Sequence, residues 1–146
     1  MFVNMNKDIL KRYNETNHFG DLLGMEYEIQ SSGEIYYSLE VKREHLATKT
    51  AAHGGFLAAF MDAVVGVAAL SKTSTEGKVV STVEMKLNFL QPALLGDLLT
   101  GKGKVLKYGK RIIIVEGKIF NQKNELLAIS LATMNAYPFE KSDMID

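Results

Sequence analysis

One apolar segment contains the residue types and the spacing that chemistry requires. His53, Gly54 and Gly55 precede an apolar run over residues 56–70, and Asp62 interrupts that run near its middle. Apolar residues on nearly all sides predict one buried helix. The start of a helix offers free backbone N–H groups and the positive end of its dipole, and glycines let an anionic oxygen approach them. The carboxylate adds a general base or a nucleophile.

The same residues also have structural explanations. Asp62 can be a buried carboxylate bonded to backbone or hydroxyl groups, and the glycine pair can serve close packing of the helix against a strand. Gly66 and the alanines of the segment predict close packing. Residues 56–70 are too few for a membrane span, and a central Asp is costly in lipid. The segment is therefore predicted to be the core helix of a globular protein.

Length and composition fit one soluble domain. The chain has 146 residues, with 47% hydrophobic and 23% charged residues. Seventeen basic residues balance 17 acidic ones, so no overall field favours nucleic acid or an anionic membrane as a partner. The absence of cysteine excludes disulfides, thiolate metal sites and a cysteine nucleophile. The N-terminal residues lack the pattern of a signal peptide, so the expected location is the cytoplasm.

Alternating apolar and polar residues predict an antiparallel sheet. The predicted strands are residues 25–30, 35–41, 79–90, 98–107, 111–120 and 125–137. A helix that is apolar all round needs the sheet to curl around it, which makes the fold α+β with a curved antiparallel sheet of about six strands around one long central helix. Edge strands and remaining apolar surface predict at least a dimer.

The ends of the chain are predicted to lie outside this core, which spans about residues 20–138 of a single domain. Residues 5–16 predict a short amphipathic helix, and residues 139–146 a frayed tail. Residues 18–24 predict a turn-rich segment that places Phe19, Leu22 and Leu23 under the first strand.

The order of elements resembles the hotdog fold, and more narrowly the acyl-CoA thioesterases of the phenylacetate-degradation type. The matching motifs are His53-Gly54-Gly55 with Asp62 on the helix, Thr82 to Pro92 on the next strand, Gly96-Asp97 before the following strand, and a glycine turn at 107–111. The resemblance covers roughly residues 20–138. It implies hydrolysis of an acyl-CoA, or a related acyl thioester, by water, with no metal and no cofactor beyond the coenzyme A of the substrate.

The resemblance also implies roles for the residues. The Gly54 N–H is expected to bind the thioester oxygen, Asp62 to act as base or nucleophile, and Thr82 to hold the attacking water. Asp62 lies eight residues after Gly54, or roughly 12 Å along a helix, which is too far for one water and one carbonyl to bridge. The two groups must then come from different subunits, so a homodimer or homotetramer with a shared site is expected.

The predicted substrate-binding residues surround these groups. His53 is expected to fix the loop by hydrogen bonds, with Gly55 and Phe56 beside it. The family has an Asn at the position of Ala47, so a polar group from the same loop is needed, with His45, Thr48 and Thr50 as the candidates. Further along, five cationic residues are expected to form either a solvated hairpin or a docking place for the phosphates of coenzyme A: Lys102, Lys104, Lys107, Lys110 and Arg111.

Two other functions stay open at this stage. Ala47 favours a hotdog protein that binds acyl-CoA without turning it over. A hotdog hydratase or dehydratase uses a His and a carboxylate together, for which His53 and Asp62 are wrongly spaced. A DNA-binding regulator is disfavoured, because residues 1–20 are too short and too neutral for a helix-turn-helix.

Overall fold

The computed structural model describes the backbone of residues 2–145 and the side chains of residues 7–145. The helices are α1 (Phe2–Thr16), α2 (His18–Leu23) and α3 (Gly54–Thr73). The strands are β1 (Glu26–Ser31), β2 (Glu34–Glu40), β3 (Lys78–Phe89), β4 (Leu98–Tyr108), β5 (Ile112–Phe120) and β6 (Leu126–Pro138). They form one antiparallel sheet in the order β1-β2-β4-β5-β6-β3, which confirms the predicted α+β architecture.

The core lies between α3 and the concave face of the sheet. Phe60, Met61 and Val64 of α3 are fully buried. Strands β4 and β5 approach the helix closely because they carry glycines there: a Cβ at Gly103 would lie 2.7 Å from the Val64 carbonyl oxygen, and one at Gly117 would lie 2.5 Å from Met61 Sδ. The sheet can therefore curl closely around the helix at these glycines, which have no side chain.

The helix extends beyond the predicted run. With 20 residues ending at Thr73, α3 is long and apolar enough to cross a membrane by length and composition alone. The length argument made for residues 56–70 therefore does not apply to the whole helix, although the prediction of a core helix is confirmed. The sheet that covers α3 makes it the core helix of this fold.

One face of α3 stays uncovered, although the sequence predicts burial on nearly all sides. Gly55 and Asp62 are exposed, and Ala59, Ala63 and Gly66 are half-buried. Their spacing of three or four residues places them on one side of the helix. A Cβ at Gly66 would meet nothing within 4 Å, so the prediction that this glycine serves close packing is wrong.

Residues 18–24 form helix α2 rather than a turn-rich segment. The Asn17 side chain caps α2 by accepting a hydrogen bond from the Gly20 N–H at 3.1 Å, and Gly24 ends it with a φ of 74°. Phe19 and Leu22 are 57% and 77% exposed, so they do not lie under β1. The helix turns both side chains outward.

Both ends of the described chain pack on the same small cluster. Ile9 of α1 is buried against Leu70 and Val79. Phe139 and Met144 of the predicted frayed tail also pack there, and the Phe139 N–H donates to the Gly77 carbonyl at 3.0 Å. The side chains of Phe139 and Met144 therefore attach the C-terminal segment to the rest of the fold through this cluster.

Strand β3 is an edge strand. It pairs with β6 along one side, and its other side carries no partner strand within residues 2–145. The ladder is interrupted by a bulge between Thr82 and Glu84. The bulge residue Val83 is 61% exposed, and Phe89 at the end of the strand is 54% exposed. A long edge with apolar side chains is a place where a further strand can add.

Candidate active site

The carboxylate of α3 and the hydroxyl of β3 form a pair. The Thr82 hydroxyl donates a hydrogen bond to Asp62 Oδ1 at 2.7 Å. The strand holds Thr82 there because it is paired with Met134 of β6, which is itself fully buried. Both members of the pair are exposed, so Asp62 is not the buried structural carboxylate that the sequence left open. No other described residue donates a hydrogen bond to its carboxylate, so Oδ2 is free for water or substrate.

A cavity of about 500 Å³ lies beside this pair. It is enclosed by α1, α2, α3 and the first half of β3, and both Asp62 and Thr82 line it. Tyr13 and Asn17 also line it, with the Asn17 side-chain amide donating to the Tyr13 hydroxyl at 3.2 Å. Burial raises the pKa of the Tyr13 hydroxyl, and the Asp62 carboxylate adds to the rise, so this hydroxyl stays protonated beside the site.

The sequence predictions do not include the contribution of the N-terminal helices to this cavity. The available signal was Tyr13, four residues after the buried Ile9, because an aromatic ring with a polar tip on an apolar helix face marks the edge of a core.

The start of α3 presents one free N–H group. His53 is the N-cap, and its Nδ1 accepts a hydrogen bond from the Gly55 N–H at 2.8 Å. A Cβ at Gly55 would lie 2.9 Å from that Nδ1, so the cap requires glycine there. Among the described residues, no group accepts a hydrogen bond from the Gly54 N–H. Gly54 therefore keeps the donor that an oxyanion needs, whereas the Gly55 donor is occupied.

His45 contacts the first turn of α3 and its N-cap. Its ring stacks on Phe56 with 4.1 Å between the ring centroids, and its Nδ1 accepts a hydrogen bond from the Lys42 N–H at 2.9 Å. Its carbonyl accepts a hydrogen bond from the His53 N–H at 2.8 Å. Burial lowers the pKa of the His45 imidazole. A second cavity of about 330 Å³ is lined by both histidines, Gly55 and Phe56.

The loop around Ala47 is occupied by its own hydrogen bonds. The Thr48 hydroxyl accepts a hydrogen bond from the Ala51 N–H at 3.0 Å, and the Ala47 N–H donates to the Ala51 carbonyl at 2.9 Å. The Thr50 side chain is exposed and has no hydrogen-bond partner among the described residues. The Thr48 hydroxyl accepts hydrogen bonds but donates none to a described residue, so Thr48 and Thr50 both keep a side-chain O–H donor.

The five cationic residues predicted to form one cluster on a hairpin do not all lie at one place on the surface. Lys110 and Arg111 line a groove of about 480 Å³ with Lys78 and Lys141. Arg111 Nε donates to Asn135 at 3.0 Å, which holds the guanidinium in place. This groove therefore brings four cationic side chains together. No three His, Asp or Glu side chains in the described part could hold a metal ion together.

Two of the remaining lysines are engaged elsewhere on the sheet. Lys104 pairs with Glu34 at 3.3 Å, and Lys102 lies over the ring of Tyr36. Both lie in the middle of β4, where they pair with Lys118 and Glu116 of β5, whereas Lys110 lies in the turn that joins the two strands.

Two named relatives match this chain in sequence. The putative esterase SSO2140 of Saccharolobus solfataricus is 31% identical over 110 residues, which cover 75% of this chain and 74% of that protein. Acyl-coenzyme A thioesterase 13 of Homo sapiens is 24% identical over 117 residues, which cover 80% of this chain and 82% of that protein.

Many solved structures match it in fold. The PaaI protein from the phenylacetic acid degradation operon of E. coli gives a TM-score of 0.81 at 19% identity, over 94% of this chain and 96% of that one. A hypothetical thioesterase from Streptococcus pneumoniae, solved with coenzyme A, gives a TM-score of 0.72 at 25% identity, over 78% of this chain and 86% of that one.

The model of the thioesterase superfamily matches residues 50–128, a stretch that includes Gly54, Asp62 and Thr82. The predicted hotdog fold and the predicted thioesterase family are confirmed. This chain is a thioester hydrolase with the hotdog fold and belongs to the thioesterase superfamily.

Proposed function

We propose that this protein hydrolyses an acyl-CoA to the free acid and coenzyme A, in the cytoplasm and as a homo-oligomer. The observation that carries the proposal is the exposed Asp62, hydrogen-bonded by Thr82 at 2.7 Å and facing a cavity. The free Gly54 N–H adds an oxyanion donor. The name of the human relative and the coenzyme A in the streptococcal structure support this class of substrate.

The reaction needs a group for each charge that develops. Water adds to the thioester carbon and gives a proton to Asp62, while the carbonyl oxygen gains negative charge and accepts a hydrogen bond from Gly54 N–H. The carbon–sulfur bond then breaks, and the departing thiolate takes the proton from Asp62. In the alternative, an Asp62 oxygen attacks the carbonyl carbon and the carbon–sulfur bond breaks, which releases the thiolate and leaves a mixed anhydride. Water then adds to the acyl carbon of the anhydride and displaces the Asp62 carboxylate, which gives the free acid, and the proton released from water neutralises the thiolate. Thr82 orients the carboxylate in both routes.

The two groups are proposed to come from different subunits. Along one chain, β3 runs beside α3 so that Thr82 lies at Asp62, while the Phe89 ring lies 3.6 Å from where a Gly54 Cβ would stand. Antiparallel pairing of the exposed β3 edges of two copies reverses this order. It brings Asp62 of one copy toward Gly54 of the other, which removes the roughly 12 Å separation within one helix.

The groove with Lys110 and Arg111 is proposed to bind the phosphates of coenzyme A. Its four cationic side chains come from β3, the β4–β5 turn and the C-terminal segment. Phosphate groups at such a place are attracted from solution, and the attraction weakens as salt rises.

The test is release of free thiol from a panel of acetyl-, octanoyl-, palmitoyl- and benzoyl-CoA. We expect turnover of at least one member and a loss of about a thousandfold or more in Asp62→Asn and Asp62→Ala, since both remove the base and the nucleophile. Turnover that persists in both variants would exclude the assigned role of Asp62. Circular dichroism of each variant checks that the fold is intact.

The second candidate function is acyl-CoA binding without turnover. It is favoured by Ala47, because the side chain at this position has no polar group that could bind the thioester oxygen. Tight binding of octanoyl-CoA by a folded wild-type protein that releases no thiol from any panel member would support this function. A hydratase is disfavoured, because His53 Nδ1 is occupied by the helix cap.

A further inference from the structure

The cavity beside Asp62 has one reactive end and otherwise mostly apolar walls. Asp62 is the one carboxylate among its lining residues, and Thr82 stands next to it. Met25, Leu70, Val79 and Val80 are among the apolar residues that form the walls. A volume of about 500 Å³ is in the range of sites that take small-molecule ligands. A group attached to a carbonyl at Asp62 therefore has an apolar space directly beside it.

The floor of this cavity is the uncovered face of α3. Ala63 and Gly66 line it, and a Cβ at Gly66 would meet nothing within 4 Å. Gly103 and Gly117 are different, because a Cβ at either would come within 3 Å of the core helix. Packing explains those glycines but not Gly66. A glycine inside a helix lowers stability relative to alanine, so its presence here fits a requirement for empty space.

The length of the cavity follows from its lining residues on α3. Gly66 lies one helical turn after Asp62, and Leu70 lies one turn further, so the distance from the carboxylate to Leu70 is roughly 12 Å along the axis. Leu70 is buried and belongs to the cluster with Ile9 and Val79 that closes this end of the fold. On α3, the lining therefore runs from Asp62 to Leu70, where the buried cluster bounds the space.

We propose that this cavity binds the acyl group of the substrate, that the preferred substrates carry medium-length apolar acyl chains of the hexanoyl to decanoyl class, and that Gly66 sets this preference. The inference rests on the proposed function, because it takes the thioester carbon to react at Asp62. An acetyl group is too short to reach Gly66. A palmitoyl chain is longer than the space bounded by Leu70.

The experiment compares the wild type with Gly66→Ala and Gly66→Leu on acetyl-, octanoyl- and palmitoyl-CoA. We expect octanoyl-CoA to be the best wild-type substrate, and Gly66→Leu to lower its kcat/KM by about tenfold or more while acetyl-CoA changes little. Gly66→Ala is the matched control: it adds one carbon, so its loss on octanoyl-CoA is smaller, and its Tm rises because alanine favours the helix. Val80→Phe narrows the same cavity from β3 and is expected to repeat the pattern of Gly66→Leu even if that variant unfolds.

A binding measurement separates this inference from the proposed function. In the Asp62→Asn background, octanoyl-CoA is expected to raise Tm, and Gly66→Leu is expected to reduce that rise. Hydrolysis by the wild type with equal losses on acetyl- and octanoyl-CoA, or with no loss in Gly66→Leu and Val80→Phe, would overturn the acyl-cavity inference and leave the thioesterase function standing. Absence of hydrolysis with a reduced Tm rise would overturn the thioesterase function and leave the acyl cavity standing.

Discussion

The Thr82 hydroxyl of β3 donates a hydrogen bond to Asp62 Oδ1 of α3 at 2.7 Å. A hydroxyl has one proton and two lone pairs, so Thr82 can then only accept a hydrogen bond from a water beside the carboxylate. In the proposed mechanism, this arrangement orients Asp62 and leaves a place for the attacking water. The pair joins a helix residue to a strand residue 20 positions later in the chain.

Replacing this hydroxyl should slow the reaction without harming the fold. Thr82→Val keeps the shape and the preference for a strand, and Thr82 is exposed, so stability should change by less than about 0.5 kcal/mol. We expect kcat to fall about tenfold to a hundredfold, because the carboxylate and the water lose their positioning group. Thr82→Ser restores the hydroxyl and should recover most of kcat. Equal kcat in Val and Ser variants would show that the hydrogen bond has no part in the reaction.

The oxyanion donor can be removed by one substitution at the helix start. Gly54 is the first residue of α3, where proline is well tolerated, and the φ of −65° and ψ of 138° at His53 suit a residue before proline. Gly54→Pro deletes the N–H and should lower kcat by about a hundredfold to a thousandfold. Gly54→Ala keeps the N–H, and its Cβ would make ordinary contact with Phe89 at 3.6 Å, so it is the control. Similar kcat values in the two variants would contradict the role of this donor.

A shared site should be restored by mixing two inactive variants. Gly54→Pro and Asp62→Asn each lose one half of every site, but a mixed dimer has one site with both halves intact. After unfolding and refolding together in equal amounts, about a quarter of wild-type activity should return, since half of the dimers are mixed and one of their two sites works. Refolding the variants separately is the control. No recovery from a mixture that forms mixed dimers would place both groups in one chain.

The cationic groove should affect substrate affinity rather than chemistry. Replacing Lys110 and Arg111 together by Ala should raise KM for acyl-CoA about threefold to tenfold at low salt, with kcat little changed. The difference should shrink as salt rises, because ions screen exposed charges. Lys104→Ala is the matched control, since Lys104 pairs with Glu34 instead of lining the groove. An equal effect of salt on wild type and double variant would exclude phosphate binding there.

Stability should fall in acid because of His45. Burial lowers the pKa of its imidazole in the folded protein below the ordinary value of 6.5, so the unfolded chain binds the proton more tightly. Unfolding then takes up a proton as the pH falls below 6.5, and the stability present above that value is progressively lost. His45→Asn supplies an oxygen that can accept the hydrogen bond from Lys42 N–H and has no titration. It should flatten the change in urea midpoint between about pH 8 and pH 5. His18→Asn, at an exposed histidine, should leave that change as it is.

The sequence by itself determined the elements and singled out the candidate reactive residues. Alternation placed the six strands within about a residue of their observed ends, because each strand has one face toward the core and one toward solvent. The apolar run located α3, and His53, Gly54 and Asp62 marked it as a site because these residue types are costly or unusual in such a helix. The local pattern of apolar and polar residues reflects which side chains are buried, so it is enough to predict these elements.

Only the tertiary structure decided what lies beside those residues. Pairing of β3 with β6, rather than with the strand that follows it, sets Thr82 against Asp62. No local period encodes this pairing, because it depends on which distant strand packs best against the shared helix. The same packing leaves one face of α3 open and gives Gly66 empty space, although its sequence neighbours predict close contact. Periodicity tells how apolar a residue's surroundings should be, whereas the long-range packing of α1, α2 and β3 decides whether a cavity lies there.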